Sequence, residues 1–314
     1  AKILDTPMGK IAKNFVEEGV RLGVSSRGLG SLKLNKEGVN EVQDDFHLAT
    51  VDLRQNSQVH GRVVGELLEA VYPDTNDETL GEDEKIKISR GMVKGASFVH
   101  KFGAVPSMAT NTTGTVWDKN DTIYPWASWA TSSNVHVDAA SASDVGKTVT
   151  ISGLDANYNQ ISETILLASQ TNNYSSNTFS RIFRAYATDG VTNVGQISVQ
   201  KGTTDVAIIS PGLSQTLMAI YTIPAGYTGY IYKGTCSAQA GADGTGNMFV
   251  RYFGQDSFRV GHSFEVSGAG GQYLYEFSFP IQIPEKSDID VRITTRSNNG
   301  RYTAAFDLLL VQNS

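Results

Sequence analysis

The alternation of apolar and polar positions is clearest in the last third of the chain. Over residues 215–235, QTLMAIYTIPAGYTGYIYKGT, Leu217, Ala219 and Tyr221 alternate with Met218, Ile220 and Thr222. Pro224-Ala225-Gly226 breaks the run. Thr228, Tyr230 and Tyr232 then share one face, and Tyr227, Gly229 and Ile231 the other. A period of two, bounded by Pro and Gly, predicts two strands and a hairpin turn. The same grammar predicts strands at 205–209, 215–222, 227–235, 247–252, 257–266, 272–279, 289–295 and 302–311. Eight short antiparallel strands in about 110 residues suit a jelly-roll or related sandwich. Residues 297–300, SNNG, give a tight-turn signal, and Pro280 and Pro284 stand where a strand is expected to leave its ladder.

The middle of the chain has shorter strands. Residues 134–138, 147–152, 160–167, 179–187 and 194–199 alternate, with Gly-, Asn- and Asp-rich turns between them. Val149, Ile151, Ile161 and Ile165 mark buried positions. This predicts a first sandwich ahead of the second. Gly91, Gly95, Gly103 and Pro106 argue against long regular structure over 88–106, which reads as an extended arm.

Residues 1–90 follow another pattern and hold roughly half of the charged residues. Thr6-Pro7 is a helix start, with Ile11, Phe15 and Val16 at helical spacing after it. Val63, Val64, Leu67, Leu68 and Val71 make the apolar stripe of a second helix over 61–71. A strand is expected over 46–53, and Ser25-Ser26-Arg27-Gly28 reads as a turn. The acidic run 74–84, DTNDETLGEDE, reads as a linker, because it lacks the ligand spacing of a calcium loop. The fold expected is mainly β: a charged, partly helical segment over 1–87, an arm and first β-sandwich over 88–200, and a second, jelly-roll-like sandwich over 201–314.

Composition narrows the chemistry. In 314 residues, 40% are hydrophobic, enough for a substantial core. The net charge of −6 speaks against a nucleic-acid binder, which needs a basic face. Cys236 is the single cysteine, so neither an internal disulfide nor a cysteine-rich zinc site is expected. No apolar run approaches the roughly 20 residues that span a bilayer, and no signal peptide is read at the N-terminus. His100 stands beside Lys101 without a carboxylate near it in sequence, which makes a poor metal ligand.

Trp117, Trp126 and Trp129 cluster with Tyr124. Such a group can be core, interface anchor or sugar platform. Core or interface is preferred, and Trp117, Trp126, Trp129, Tyr230 and Tyr232 are the expected interface anchors. Arg251, Arg259, Glu265, Glu276, Glu285, Asp288, Asp290 and Arg292 read as surface or rim charges. Asp288 and Asp290 share a face and could suggest a glycosidase pair, but a solvated face explains them as well.

Two resemblances follow from particular stretches. LDTPMGKIAKNFVEEGVRLGVSSRGLGSLK followed by VQDDFHLATVD, within residues 3–53, resembles the C-terminal half of the prohead serine protease of tailed phages. The resemblance implies a nucleophile at Ser25 and a third triad member at Asp52. The family's histidine precedes the serine, whereas His47 and His60 follow it here. A serine without a base is not activated, so no catalytic residue is expected. GLDANYNQISETILL, FSRIFRAY, NVGQISV, LMAIYTIPAGYTGYI, VRYFG and PEKSDIDVR, within residues 88–314, resemble a family of tailed-phage virion structural proteins.

Together these imply a non-enzymatic phage particle protein, a capsid decoration or cement protein that stabilises the shell. It is expected on the capsid surface of a virion assembled in the host cytoplasm, as a homotrimer against the major capsid protein or other virion proteins. No cofactor, metal, nucleic acid or membrane is implied. The alternatives are a glycan-binding tail, head-fibre or neck protein, and a prohead protease remnant fused to a structural protein.

Overall fold

The computed structural model divides into two units, residues 1–86 and 87–314. It describes the backbone of strands β1 (Leu22–Leu29), β2 (Leu32–Leu34), β3 (Asn40–Val42) and β4 (His47–Gln55), and residues 84–313 except 120, 189, 268–271 and 298. The helices expected after Thr6 and over 61–71, and most of the acidic run, lie outside the described residues.

In the first unit β1 pairs antiparallel with β4, and β2 with β3. The expected strand at 46–53 is β4. The expected turn at Ser25–Gly28 is instead part of β1, with a register shift between Arg27 and Gly28. A bulge absorbs the glycine without ending the strand.

A short helix, α1 (Glu84–Ser89), runs into the second unit. Its strands are β5 (Ala96–Met108), β6 (Thr113–Thr115), β7 (His136–Ala139), β8 (Thr148–Leu154), β9 (Gln160–Leu166), β10 (Asn173–Tyr174), β11 (Arg181–Ala187), β12 (Ile197–Lys201) and β13 (Thr204–Ile209). After them come β14 (Ile220–Thr222), β15 (Tyr227–Ala238), β16 (Gly244–Arg251), β17 (Arg259–Val266), β18 (Gln272–Ile283), β19 (Asp288–Thr295) and β20 (Gly300–Gln312). The unit is mainly β, and the pairings are antiparallel.

One sheet runs β18-β15-β20-β5. The other runs β17-β16-β19, and β19's far side pairs with β14 and β6 end to end: Thr222 opposes Asp288, and Thr113 opposes Thr294. The two sheets enclose one core, with Ile231, Leu308 and Phe306 from the first and Met248, Ile289 and Ile293 from the second. β16 alternates buried and half-buried residues along its whole length, as a strand with one face on a core must. Counting β6 and β14 as one interrupted strand, the eight strands in chain order lie 6-3-8-1 in one sheet and 2-7-4-5 in the other.

The interruption holds a second core. Sheets β10-β7-β12-β13 and β11-β8-β9 enclose Val137, Val149, Ile151, Ile182 and Val199. This block enters after β6 and leaves before β14. The division expected at residue 200 therefore falls inside the β12–β13 hairpin, and the arm expected at 88–106 is largely β5, a full partner of β20.

The hairpin expected over 215–235 does not form. β14 pairs with β19 in one sheet, and β15 pairs with β18 and β20 in the other. Pro224-Ala225-Gly226 carries the chain across the core, with Gly226 at φ +75°. Alternation fixes which face of each arm points inward; it does not fix the hydrogen-bonding partner. β18 also continues through Pro280. Ile281 opposes Ile231 and Glu276 opposes Lys233, so residues 277–280 bulge opposite Tyr232 alone, and β18 is an edge strand. A missing N–H is harmless at such a place. Cys236 is buried in the first core, which pushes its thiol up to about 12 and leaves it inert.

Candidate functional site

The polar face of β19 is where the two cores meet. Ile289, Val291 and Ile293 enter the first core, so Asp288, Asp290 and Arg292 point the other way. That face is covered by the inserted block rather than by water. Asp288 is 2% exposed and Asp290 0%, which corrects the expectation of surface charge at these two, while Arg259, Glu265 and Glu276 are exposed as expected.

Three arginines converge there. Arg181, the first residue of β11, is itself buried. Its Nε donates to Asp288 Oδ1 at 2.8 Å and its Nη2 to Oδ2 at 3.2 Å. Arg251, the last residue of β16, donates to Asp288 Oδ2 from Nε at 2.9 Å and from Nη2 at 2.5 Å. Thr222 Oγ1 adds a bond of 2.6 Å to Oδ1. Asp290 accepts from Thr115 Oγ1 at 2.8 Å, from Trp126 Nε1 at 2.8 Å and from Arg292 Nε at 2.7 Å.

Aromatic rings line the cluster. Arg181 and Arg251 lie over Trp126 at 5.9 and 5.6 Å, and Arg251 and Arg292 lie over Phe258 at 4.8 and 4.7 Å. Ring faces of this kind attract a guanidinium and shield its ion pairs from water. Gly153 of β8 permits the placement of β11: a Cβ there would stand 2.1 Å from the Arg181 carbonyl oxygen.

Burial pushes the Asp290 carboxyl up from the ordinary range, against the pull of Arg292, Trp126 and Thr115. For Arg181, burial lowers the guanidinium's pKa, but Asp288 outweighs it and the net direction is up. The arrangement spends its charges on one another. It holds two β layers together, and it lacks the open approach that a glycosidase carboxylate pair needs.

The tryptophans belong to the same region and are enclosed. Trp117, Trp126 and Trp129 are 1%, 6% and 5% exposed. Their Nε1 groups donate to the Thr122 carbonyl, to Asp290 and to the Tyr124 hydroxyl respectively. Burial pushes the Tyr124 hydroxyl far up, against the pull of Trp129 and Arg181. The expected interface role of Trp117, Trp126 and Trp129 is corrected: they anchor the chain to itself. For the same reason they form no sugar platform, since stacking needs an open ring face.

Tyr230 and Tyr232 are half-buried on the outer face of β15, and Tyr232 meets Phe98 edge-on at 5.8 Å. His100 has a carboxylate after all: its Nδ1 lies 2.5 Å from Asp307 Oδ1 across the β5–β20 pair. In the first unit, the β1–β4 register sets Ser25 directly opposite Asp52. Among the described residues, no group of three or more His, Cys, Asp and Glu is placed to hold a metal ion, and no helix is long and apolar enough to cross a membrane.

Arg181, Thr115 and Thr222 were not expected at the site. The one signal for Arg181 is its place at the head of RIFRAYA, directly before the apolar pair Ile182-Phe183.

No protein-family model matches the chain. Among curated proteins it is 47% identical over 51 residues to a phosphoenolpyruvate carboxylase of Rhodopseudomonas palustris (strain BisB5), covering 16% of this chain and 6% of that protein. It is 53% identical over 45 residues to the corresponding enzyme of Azorhizobium caulinodans, covering 14% and 5%. The chain thus spans about one-twentieth of the length of the curated relatives it matches. Among solved structures, the naturally occurring empty particle of cowpea mosaic virus aligns with 56% of this chain and 82% of its own at 9% identity and a TM-score of 0.19. The VP2 subviral particle of infectious bursal disease virus aligns with 70% and 73% at 9% identity and a TM-score of 0.18. Scores this low establish no common fold.

Proposed function

We propose that this chain is a non-enzymatic structural protein of a phage particle, a capsid decoration or cement protein that binds the major capsid protein as a homotrimer and stabilises the shell. The observation that carries the reading is the strand order. The order 6-3-8-1 in one sheet and 2-7-4-5 in the other supports reading these eight strands as the wrapped double Greek key of a jelly roll. The virion-family resemblance of residues 88–314 supports it independently.

The site's chemistry agrees with this reading. Paired charges sealed beneath a second sandwich give a rigid two-layer block, and a rigid block loses little conformational entropy when it docks. A cement protein works by burying area at junctions between shell subunits, and that needs a firm surface more than a reactive one.

The test is to count this chain in purified particles by quantitative mass spectrometry and to locate it in a particle map. Hundreds of copies at repeated shell positions are expected, on the order of one per shell junction. A handful of copies at one vertex or along a tail would overturn the assignment. Light scattering of the purified chain should give the mass of a trimer.

A second reading, a prohead protease remnant joined to a structural protein, is favoured by the register that sets Ser25 opposite Asp52. A remnant cleaves nothing, because a serine without a base is not activated. Cleavage of a capsid substrate by the parent chain that Ser25→Ala abolishes would overturn it.

A further inference from the structure

An open cleft of about 520 Å³ lies where β5 meets the inserted block. Residues 98–102 of β5 and residues 160–162 of β9 line it. Successive residues of a strand point to opposite faces, so a consecutive run reaches one cleft only where the strand turns its edge toward it. Among the described residues both strands are the last of their sheets: β5 follows β20, and β9 follows β8. Sheet edges carry main-chain donors and acceptors that an added strand can use.

The charge of the lining is one-sided. Lys101 is 8% exposed, and its Nζ donates to the Phe183 carbonyl and lies 5.7 Å from the centre of that ring. An ammonium has three donors, and this carbonyl takes one. Arg184 is exposed on the same cleft, with Nη2 3.4 Å from Gln215 Oε1. Among the described residues lining the cleft, Lys101 and Arg184 are basic and none is Asp or Glu, in a chain whose net charge is −6.

We propose that this cleft binds an extended, acidic peptide segment of a partner protein, which adds as a strand along the edge of β5 and sets a carboxylate against Lys101 and Arg184. Main-chain bonds to a strand edge supply affinity, and side-chain pockets supply selectivity. Phe98 and Phe102 offer apolar contact for alternate side chains, and Gln160 and Ser162 offer polar contact from the opposite wall. The inference does not depend on the chain being a particle protein.

Fluorescence anisotropy tests it on the full chain, with a labelled, capped peptide of about six residues alternating Thr with Glu, a length matched to the strand edge. The peptide should bind, and its Gln-for-Glu counterpart should bind about tenfold more weakly or worse, as loss of a charge-assisted pair implies. Arg184→Gln, on an exposed side chain, should cost about tenfold, and Lys101→Met should act in the same direction. Methylating alternate peptide amides should abolish binding. The proposal fails if the Gln peptide binds equally, or if Arg184→Gln leaves affinity unchanged. It fails too if free glutarate displaces the peptide at equal concentration, which would mark a small-anion pocket. Absence of binding by the Glu peptide up to about 1 mM also overturns it. Should Lys101→Met not fold, Arg184→Gln decides.

Discussion

Arg181 of β11 and Asp288 of β19 stand 2.8 Å apart, Nε to Oδ1, with the arginine 6% and the aspartate 2% exposed. They are 107 residues apart in sequence and belong to different sheets, so their pair joins the inserted block to the sheet that holds β19. Arg251 holds the other carboxylate oxygen.

Asp288→Ala should therefore be severe. It leaves Arg181 and Arg251 without their shared carboxylate in a place with little water. Removing one member of a buried pair costs about 3–5 kcal/mol. Arg181→Met should cost less, because Arg251 and Thr222 still bond Asp288. Urea unfolding of both variants and of the double variant measures this. If the three losses are equal and small, the pair does not join the layers. Calorimetry of Asp288→Ala should also show the inserted block melting ahead of the rest.

Trp126→Phe separates ring from hydrogen bond. The substitution keeps an aromatic face beneath Arg181 and Arg251 but removes the Nε1 donor to Asp290. An acceptor left short in a buried site costs about 1–3 kcal/mol. Trp126→Ala should cost about 3–5 kcal/mol through the cavity it opens. Both are read by chemical denaturation. A Phe variant as stable as the parent would mean that Thr115 and Arg292 suffice for Asp290.

The predominance of strands was legible in the sequence because alternation is local. The period of two at 247–252 or 302–311 needs no knowledge of the rest of the chain. The partners were not legible. The 215–235 stretch carries a strong turn signal, and both of its arms have a face turned inward, yet they lie in opposite sheets. A break that joins two strands in one sheet and a break that crosses the core use the same residues. The polar face of β19 misled for a related reason. D-x-D-x-R reads as a solvated face, and only the return of the inserted block, whose Arg181 lies far away in sequence, makes it interior. The tryptophans were legible as a cluster, and Trp117 and Trp129 find their acceptors within it, at Thr122 and Tyr124, but the acceptor of Trp126, Asp290, comes from elsewhere in the chain.

Lys101 should make stability depend on pH above neutrality. Burial, with Arg184 beside it, lowers its ammonium to about 7 from an ordinary 10.5. Between these values the unfolded chain binds the extra proton, so stability falls as pH drops from about 10 toward 7. Below the folded value the penalty is complete and flat. The other ionisable groups near the cleft are Arg184, Tyr221 and the His100–Asp307 pair. Lys101→Met removes the slope between pH 7 and about 9, below the range where tyrosines ionise. Unfolding free energies at several pH values give the result, and parallel curves for the two proteins would refute the assignment.

Asp144 should give a slope of the same sign, in acid. It is fully buried and accepts 2.7 Å bonds from Lys147 Nζ and from the main-chain N–H groups of Val194 and Gly195. Burial alone raises its carboxyl pKa, but Lys147 and the two N–H groups outweigh it and hold the carboxyl below the ordinary range. A carboxylate whose folded pKa is depressed contributes stability that is present above the unfolded pKa, about 3.9, and is lost as pH falls through the folded value. Asp144→Asn keeps one acceptor and turns an amide N–H₂ toward a donor. It should cost about 1–3 kcal/mol at pH 7, and its curve should merge with the parent's in strong acid, where both side chains are neutral. Hydrogen exchange should speed at the Val194 and Gly195 amides in the variant. A deficit that stays constant from pH 7 into strong acid would mean that shape, not charge, makes Asp144 matter.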